Sequence, residues 1–196
     1  MKPLIFLLLL SLTNCAITDN EPSFTPSLPP VTTTGENTFG CYLDGVLVTP
    51  RDGSGDLYRW REEGMKVTAG KSLNKVHYNE IRVRDYKSGT RGVVEIYFEP
   101  VIYDLGEGVF TLQNSKDVDT NGQPIVVIAV RLRENWYRSA MGSGEVHLLR
   151  VDSINHIVSG TFACEAIGSS NPNDRIKITE GRFDINRATL RETFFQ

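Results

Sequence analysis

The feature that most constrains the fold is an alternation of apolar and polar residues. From Thr38 onward the pattern repeats every two residues rather than with the period of a helix. The alternating segments are short, and clusters of Gly, Ser, Asn and Asp separate them. Because strands patterned in this way bury one face and expose the other, the sequence predicts an all-β fold: an antiparallel β-sandwich or flattened barrel of roughly eight to ten strands.

Particular segments predict local features of this sheet. Asp44-Gly45 lies between two apolar runs and predicts a type I′ hairpin turn, since both residues tolerate positive φ angles. Residues 125–132 are almost continuously apolar, which predicts a central strand covered on both faces. Gly160 and Gly181 interrupt alternating runs and predict bulges or close backbone approaches. The other candidate strands are 38–43, 46–49, 57–62, 65–68, 75–86, 92–99, 108–112, 145–151, 157–166 and 175–185, and residues 186–195 are the one candidate helix.

The first fifteen residues are typical of a cleaved leader. Lys2 precedes a mostly apolar run, residues 4–12, that is shorter than the roughly 20 residues a membrane-spanning helix needs. The run ends in Leu-Thr-Asn-Cys15, which resembles the lipobox of bacterial lipoproteins, with Asn14 in place of the usual small residue. The resemblance implies a signal peptide over residues 1–14 and diacylation (palmitate-type chains) of Cys15. The alternative is an ordinary secretory leader cut near Ala16.

Composition divides the rest of the chain into a tether and a domain. Residues 15–37 are rich in Pro, Thr and Ser and predict a semi-extended tether, while residues 38–196 suit a single β domain. Lipidation implies an outer-membrane, periplasmic or cell-surface location, with the membrane as a partner through the anchor. The net charge of −3 and the lack of a long basic run predict that nucleic acid is not a partner.

The two remaining cysteines, Cys41 and Cys164, have two interpretations. In an oxidising compartment they can form one disulfide that closes a long loop. Alternatively they are buried thiols that pack as small apolar residues.

One short motif has the spacing of calcium ligands. Asp117, Asp119 and Asn121 occupy positions one, three and five of a loop with Gly122 at position six, as in an EF-hand. Position twelve is Ile128, where that motif needs a bidentate Glu, so the alternative is an Asx-rich turn. Calcium is thus the one candidate cofactor.

Four aromatic residues suggest a binding surface rather than an active site. Tyr58 and Trp60 alternate onto one face, and Trp136 and Tyr137 fall in a predicted loop, where binding residues concentrate. Flat aromatic rings stack on sugars, although core packing also explains such residues. The sequence contains no nucleophile elbow or metal-type histidine spacing, so it predicts no catalytic residue and a chain that is not an enzyme.

The two ends of the domain carry a family resemblance. Residues 151–162 (VDSINHIVSGTF) and 176–184 (IKITEGRFD), with residues 39–41 (FGC) and the Asp44-Gly45 hairpin, resemble uncharacterised Bacteroidota lipoproteins. The resemblance implies an all-β, lipid-anchored envelope domain and transfers no catalytic residues. Two hypotheses follow: a non-catalytic binding module for a glycan or an envelope protein, or a calycin-like barrel that holds a small apolar ligand.

Overall fold

The structure, a computed structural model, describes residues 24–54, 62–116 and 121–196. It confirms the all-β prediction, because strands make up nearly all of the regular structure. The strands are β1 (Thr38–Leu43), β2 (Val46–Val48), β3 (Met65–Lys71), β4 (His77–Arg84), β5 (Val93–Glu99), β6 (Gly108–Thr111), β7 (Ile125–Leu132), β8 (Asn135–Ser139), β9 (Glu145–Asp152), β10 (Ile157–Gly168) and β11 (Arg175–Asn186). One short helix, α1 (Ile102–Leu105), follows β5, and a 3-10 turn, Leu190–Glu192, follows β11.

The strands form one antiparallel sheet that curls into a half-barrel. Its main path runs β2-β1-β11-β10-β8-β7-β5-β4-β3, and β9 and β6 branch from it. The branch arises at β10, which is twelve residues long and pairs with β9 along its first half and with β8 at its end. The predicted turn at Asp44-Gly45 joins β1 to β2, and both residues have positive φ, of 50° and 81°.

Three aromatic rings pack in a row on the inner face of the curled sheet, within a core that is otherwise mainly aliphatic. Phe162 lies between Phe39 and Phe183, with ring centroids 5.6 Å and 6.4 Å away. Gly181 makes this packing possible, because a Cβ atom at that position would lie 2.4 Å from the ring of Phe162. Gly160 lies at a register shift between β9 and β10, so both glycines have the structural roles that the sequence predicts.

Strand β7 is buried on both faces, as its continuous apolar pattern predicts. Val126, Ile128 and Val130 point into the main core, while Ile125 and Val127 belong to a second cluster on the outer face. The second cluster also contains Tyr97 of β5, whose ring lies 4.7 Å from the ammonium nitrogen of Lys116. Lys116, which follows β6, therefore contacts part of the outer face.

Residues 24–37, which we call the strap, lie against the sheet instead of leaving it as a free tether. The buried carboxylate of Asp184 on β11 accepts hydrogen bonds from the hydroxyl of Thr32 (2.7 Å) and the backbone amides of Thr34 (2.9 Å) and Gly35 (2.8 Å). Arg150 on β9 donates to the carbonyl oxygen of Thr33 (2.7 Å). The prediction of a tether over residues 15–37 is therefore wrong for residues 24–37. This segment has few large apolar side chains to bury, but hydrogen bonds to specific partners on the sheet hold it in place.

Other differences from the prediction are local. The candidate strand 57–62 falls largely outside the described residues. The candidate helix over residues 186–195 is wrong: Asn186 still belongs to β11, and only Leu190–Glu192 form a helical turn, of the 3-10 type. Within the described ranges, no helix has the length and apolar character needed to cross a bilayer.

Candidate functional site

Several predicted site residues lie outside the described part of the chain. These are Cys15, Tyr58, Trp60, Asp117 and Asp119. Lipidation, stacking at the first aromatic pair and the calcium loop therefore stay predictions.

The last residue of the calcium motif is described. Asn121 has a φ angle of 52° and Gly122 one of 82°, and together they form a turn just before β7. Positive φ at both residues fits the Asx-rich turn that is the alternative to a calcium loop. Across the described segments, no group of three or more His, Cys, Asp or Glu side chains is placed to hold a metal ion.

Cys41 and Cys164 are free, buried thiols, which is the second of the two interpretations that the sequence left open; no disulfide joins them. The two residues lie on β1 and β10, which both pair with β11 and are thus separated by two strand spacings, about 9.6 Å. A disulfide needs Cα atoms within about 7 Å of each other. Burial raises the pKa of both thiols, that of Cys164 to about 12, so they stay protonated.

A groove on the outer face contains the one described aromatic residue that is both predicted for binding and exposed. We call it the Trp136 groove, and its volume is about 410 Å³. Its walls come from β5, β7 and β8 and from the segments that follow β6 and β10. The lining residues are Glu95, Lys116, Val127, Ala129, Trp136, Arg138 and Ser169.

The register of the strands explains why a depression forms here. Ala129 on β7 pairs with Glu95 on one side and with Arg138 on the other. Its small side chain leaves a gap between two long charged side chains whose strands lie about 9.6 Å apart. The gap therefore has an apolar floor, an acceptor on one wall and a donor on the other.

Trp136 and Tyr137 lie in strand β8, so the loop predicted for them is wrong. Successive residues of a strand point to opposite faces, and the structure separates this pair accordingly. The indole of Trp136 is 39% exposed and points outward, on the same face as Arg138. Tyr137 is buried and donates its hydroxyl to Asp174 (2.9 Å), and burial is the main reason that its pKa is raised. Only Trp136 of this pair is available for stacking.

Charged neighbours fix the walls of the groove. The guanidinium of Arg82 lies 2.8 Å from a carboxylate oxygen of Glu80 and 2.9 Å from one of Glu95. Lys116 lies 2.9 Å from the other oxygen of Glu80. These contacts hold Glu95 and Lys116 in place, because each side chain in the network is tied to at least one other.

Two arginines beside the indole differ in what holds them. The guanidinium of Arg131 lies 5.9 Å from the centre of the Trp136 ring and supports one side of it. Arg138 is exposed and takes part in none of the ion pairs found among the described residues. Its donors are therefore available to a ligand.

Of the groove residues, the sequence pattern indicates only Trp136 as a binding residue. Ala129, Lys116 and Ser169 carry no signal of their own. The pairing of β7 with β5 and β8 places Ala129 in the groove, and the segments that follow β6 and β10 bring Lys116 and Ser169 to it. Comparisons of the chain with known protein families, with curated proteins and with solved structures give no match. The geometry of the Trp136 groove is therefore the basis for a functional proposal.

Proposed function

We propose that this chain is a lipid-anchored envelope protein whose β domain is a non-catalytic module that binds a saccharide in the Trp136 groove. The observation that supports the proposal is the exposed indole beside a small apolar floor, with an acidic and a basic side chain on opposite walls. Sugars combine an apolar C–H face with a rim of hydroxyl groups, and this arrangement complements both.

Each side chain of the groove has a distinct task in the proposal. The indole of Trp136 packs against the C–H face of a pyranose ring above Ala129. Arg138 donates hydrogen bonds to ring substituents, and the carboxylate of Glu95 accepts them from hydroxyl groups. Because ion pairs hold Glu95 and Lys116 in place and Arg131 supports the indole, Arg138 is the main side chain that binding has to order, and the entropic cost is small.

The anchored location rests on the leader. A short apolar run that ends in Cys15 supports lipidation at that residue and a position at the outer membrane or cell surface. Such a location brings the domain to envelope glycans. An envelope protein is the other partner class that this location offers.

The calycin-like alternative receives less support from the interior. A barrel that carries a small apolar ligand needs a cavity of several hundred Å³ within its core. Here the rings of Phe39, Phe162 and Phe183 pack together on the inner face of β1, β10 and β11. The groove that carries the binding proposal lies on the outer face instead.

A glycan array with the wild-type protein, followed by calorimetry on its best hit, tests the binding proposal. Trp136→Ala removes the stacking platform, and Ala129→Leu fills the floor while it leaves the indole in place. We expect each variant to weaken binding by about tenfold or more, as for a central aromatic contact. Ile154→Ala, at an exposed hairpin tip, is the control that keeps full affinity.

Two results would contradict the binding proposal. One is an array without hits for the folded protein. The other is unchanged affinity in both groove variants. A third result would place the sugar site at Tyr58 and Trp60 instead: Trp60→Ala abolishes glycan binding and Trp136→Ala leaves it unchanged.

Mass spectrometry of the native protein tests the anchor separately. We expect an N-terminus at Cys15 with acyl chains, and release of the protein from membranes in a Cys15→Ser variant. An unmodified thiol at this position, or a retained Met1, would contradict the anchor but not the glycan site.

A further inference from the structure

Strand β3 forms one end of the sheet and pairs only with β4 among the described strands. The amide of Arg84 donates to the carbonyl oxygen of Gly64 (2.7 Å), which sets which residues of β3 bond to β4. In an antiparallel pair, only every second residue forms backbone hydrogen bonds with the partner strand. Lys66 and Thr68 therefore form these bonds with β4. The backbone N–H and C=O groups of Val67 and its odd-numbered neighbours therefore point away from the sheet.

A second groove, of about 430 Å³, opens on this free edge. Four consecutive residues, 65–68, line it. Successive side chains of a strand point to opposite faces, so a groove lined by all four faces the strand edge rather than one surface of the sheet. The opposite wall consists of Arg187, Leu190 and Arg191, which follow β11. We call this space the β3 edge groove.

The β3 edge groove has an excess of positive charge. Lys66, Arg187 and Arg191 line it, against a single acid, Glu63. The whole chain has a net charge of −3, so this excess is local. Lys66 and Arg191 take part in none of the ion pairs found in the described ranges.

We propose that the β3 edge groove binds an extended, acidic segment of a partner protein by strand addition. The segment pairs its backbone with the free N–H and C=O groups of β3, and its carboxylates face the guanidinium groups of Arg187 and Arg191. Apolar side chains of the segment rest against Leu190. This site is separate from the Trp136 groove and does not depend on sugar binding.

Charge also argues against a second copy of the chain as the occupant. Lys66 and Lys71 lie on β3, and lysines on an edge strand oppose its pairing with an identical strand. When the added strand carries acidic residues, the same lysines face opposite charges across the pair. The charges on β3 therefore favour pairing with an acidic strand over pairing with the β3 of a second copy.

Peptide binding to the full chain tests the proposal. The probe is a labelled eight-residue peptide of alternating Thr and Glu, and its control has Lys in place of Glu. We expect the acidic peptide to bind at least about tenfold more tightly and to slow amide exchange at residues 65–71. Equal binding of the two peptides, or no protection of β3, would overturn the proposal. If amide exchange at β3 slows when only the protein concentration is raised, without peptide, the edge pairs with a second copy of the chain. That result would also overturn the proposal.

Two variants locate the binding. Val67→Pro removes a donor on the free edge while the ladder to β4 keeps its own bonds, a position where proline is tolerated. Arg191→Glu reverses the charge of the far wall and leaves the strand intact. Both variants should lower the affinity for the acidic peptide by about tenfold or more. Lys177→Glu makes the same change of charge at an exposed position on β11 and should leave the affinity unchanged. If Arg191→Glu and Lys177→Glu have equal effects, the attraction is general and the proposal fails.

Discussion

Cys41 and Cys164 show how strongly position determines the behaviour of a single side chain. Each thiol is buried in the core, and burial raises the pKa of each above the range where a free cysteine ionises. The sequence left open whether they form a disulfide, and strand order supplies the answer. Because β11 lies between their strands, the two side chains pack as small apolar groups.

These raised pKa values predict a stability that falls at alkaline pH. Below about pH 8.5 both the folded and the unfolded chain hold these protons, so the thiols add no pH dependence. Above it, the unfolded chain loses protons that the folded chain keeps, and each thiol lowers the free energy of unfolding by up to about 1.4 kcal/mol per pH unit. Urea unfolding under reducing conditions at pH 7 and 10 should therefore show a smaller alkaline loss for the double variant Cys41→Ala/Cys164→Ala than for the wild type.

An alkylation experiment provides the control for this prediction. Unfolded without reductant, the wild-type chain should take up alkylating reagent at both cysteines. No uptake at these positions would show a disulfide and contradict the free thiols. Equal alkaline losses in the wild type and the double variant would contradict the pKa argument.

The strap is the clearest case of an element held by one distant residue. Strap residues 32–35 meet the carboxylate of Asp184 about 150 positions later in the chain. Asp184→Ala leaves these donors unpaired, and we expect a loss of about 3 kcal/mol in the free energy of unfolding and cleavage of the strap by protease. Thr32→Val removes one side-chain donor only, so its effect should be about 1 kcal/mol. A strap that stays protected in Asp184→Ala would show that other contacts hold it.

Among the elements, those with a strong local signal could be predicted and those without one could not. The hairpin at Asp44-Gly45 and the doubly covered strand β7 follow directly from turn chemistry and apolar pattern. Strand β8 was missed because it has only five residues, Asn135–Ser139, and its alternation is too short to distinguish it from a loop. The strap was missed because Pro, Thr and Ser carry no periodicity, and its partner is far away in sequence.

At the scale of the whole molecule, the half-barrel is tied together across its two ends. The buried carboxylate of Asp52, after β2, accepts hydrogen bonds from the amides of Gly64 (2.6 Å) and Phe195 (2.9 Å). Beside it, Arg51 makes a bidentate contact with Asp85, at 2.6 Å and 2.9 Å. These bonds connect the β1–β2 end of the sheet, the β3–β4 end and the C-terminal residues.

We expect Asp52→Ala to loosen this connection as a unit. Two buried amides lose their acceptor, so the free energy of unfolding should fall by about 3 kcal/mol. Amide exchange should accelerate at both β1–β2 and β3, because the two ends of the sheet share this contact. Asp104→Ala removes an exposed carboxylate and is the matched control. Faster exchange at one end alone would show that the ends are held independently.

The candidate site depends on this whole-molecule arrangement more than on any motif. The sequence singled out Trp136 as an aromatic of interest, but it could not show that Tyr137 faces the core. Nor could it place Glu95, Ala129 and Arg138 in one row, since strand register comes from long-range pairing. A single sequence therefore indicates candidate residues and leaves their assembly to the fold.

The packed strap has a consequence for distance. With residues 24–37 fastened to the sheet, a lipid on Cys15 would be joined to the domain by nine peptide steps, a span of at most about 30 Å. A domain of this size is about 40 Å across. The linker between the lipid and the domain would thus be shorter than the domain is wide. The domain would therefore lie next to the bilayer and bind only molecules that come close to the lipid surface.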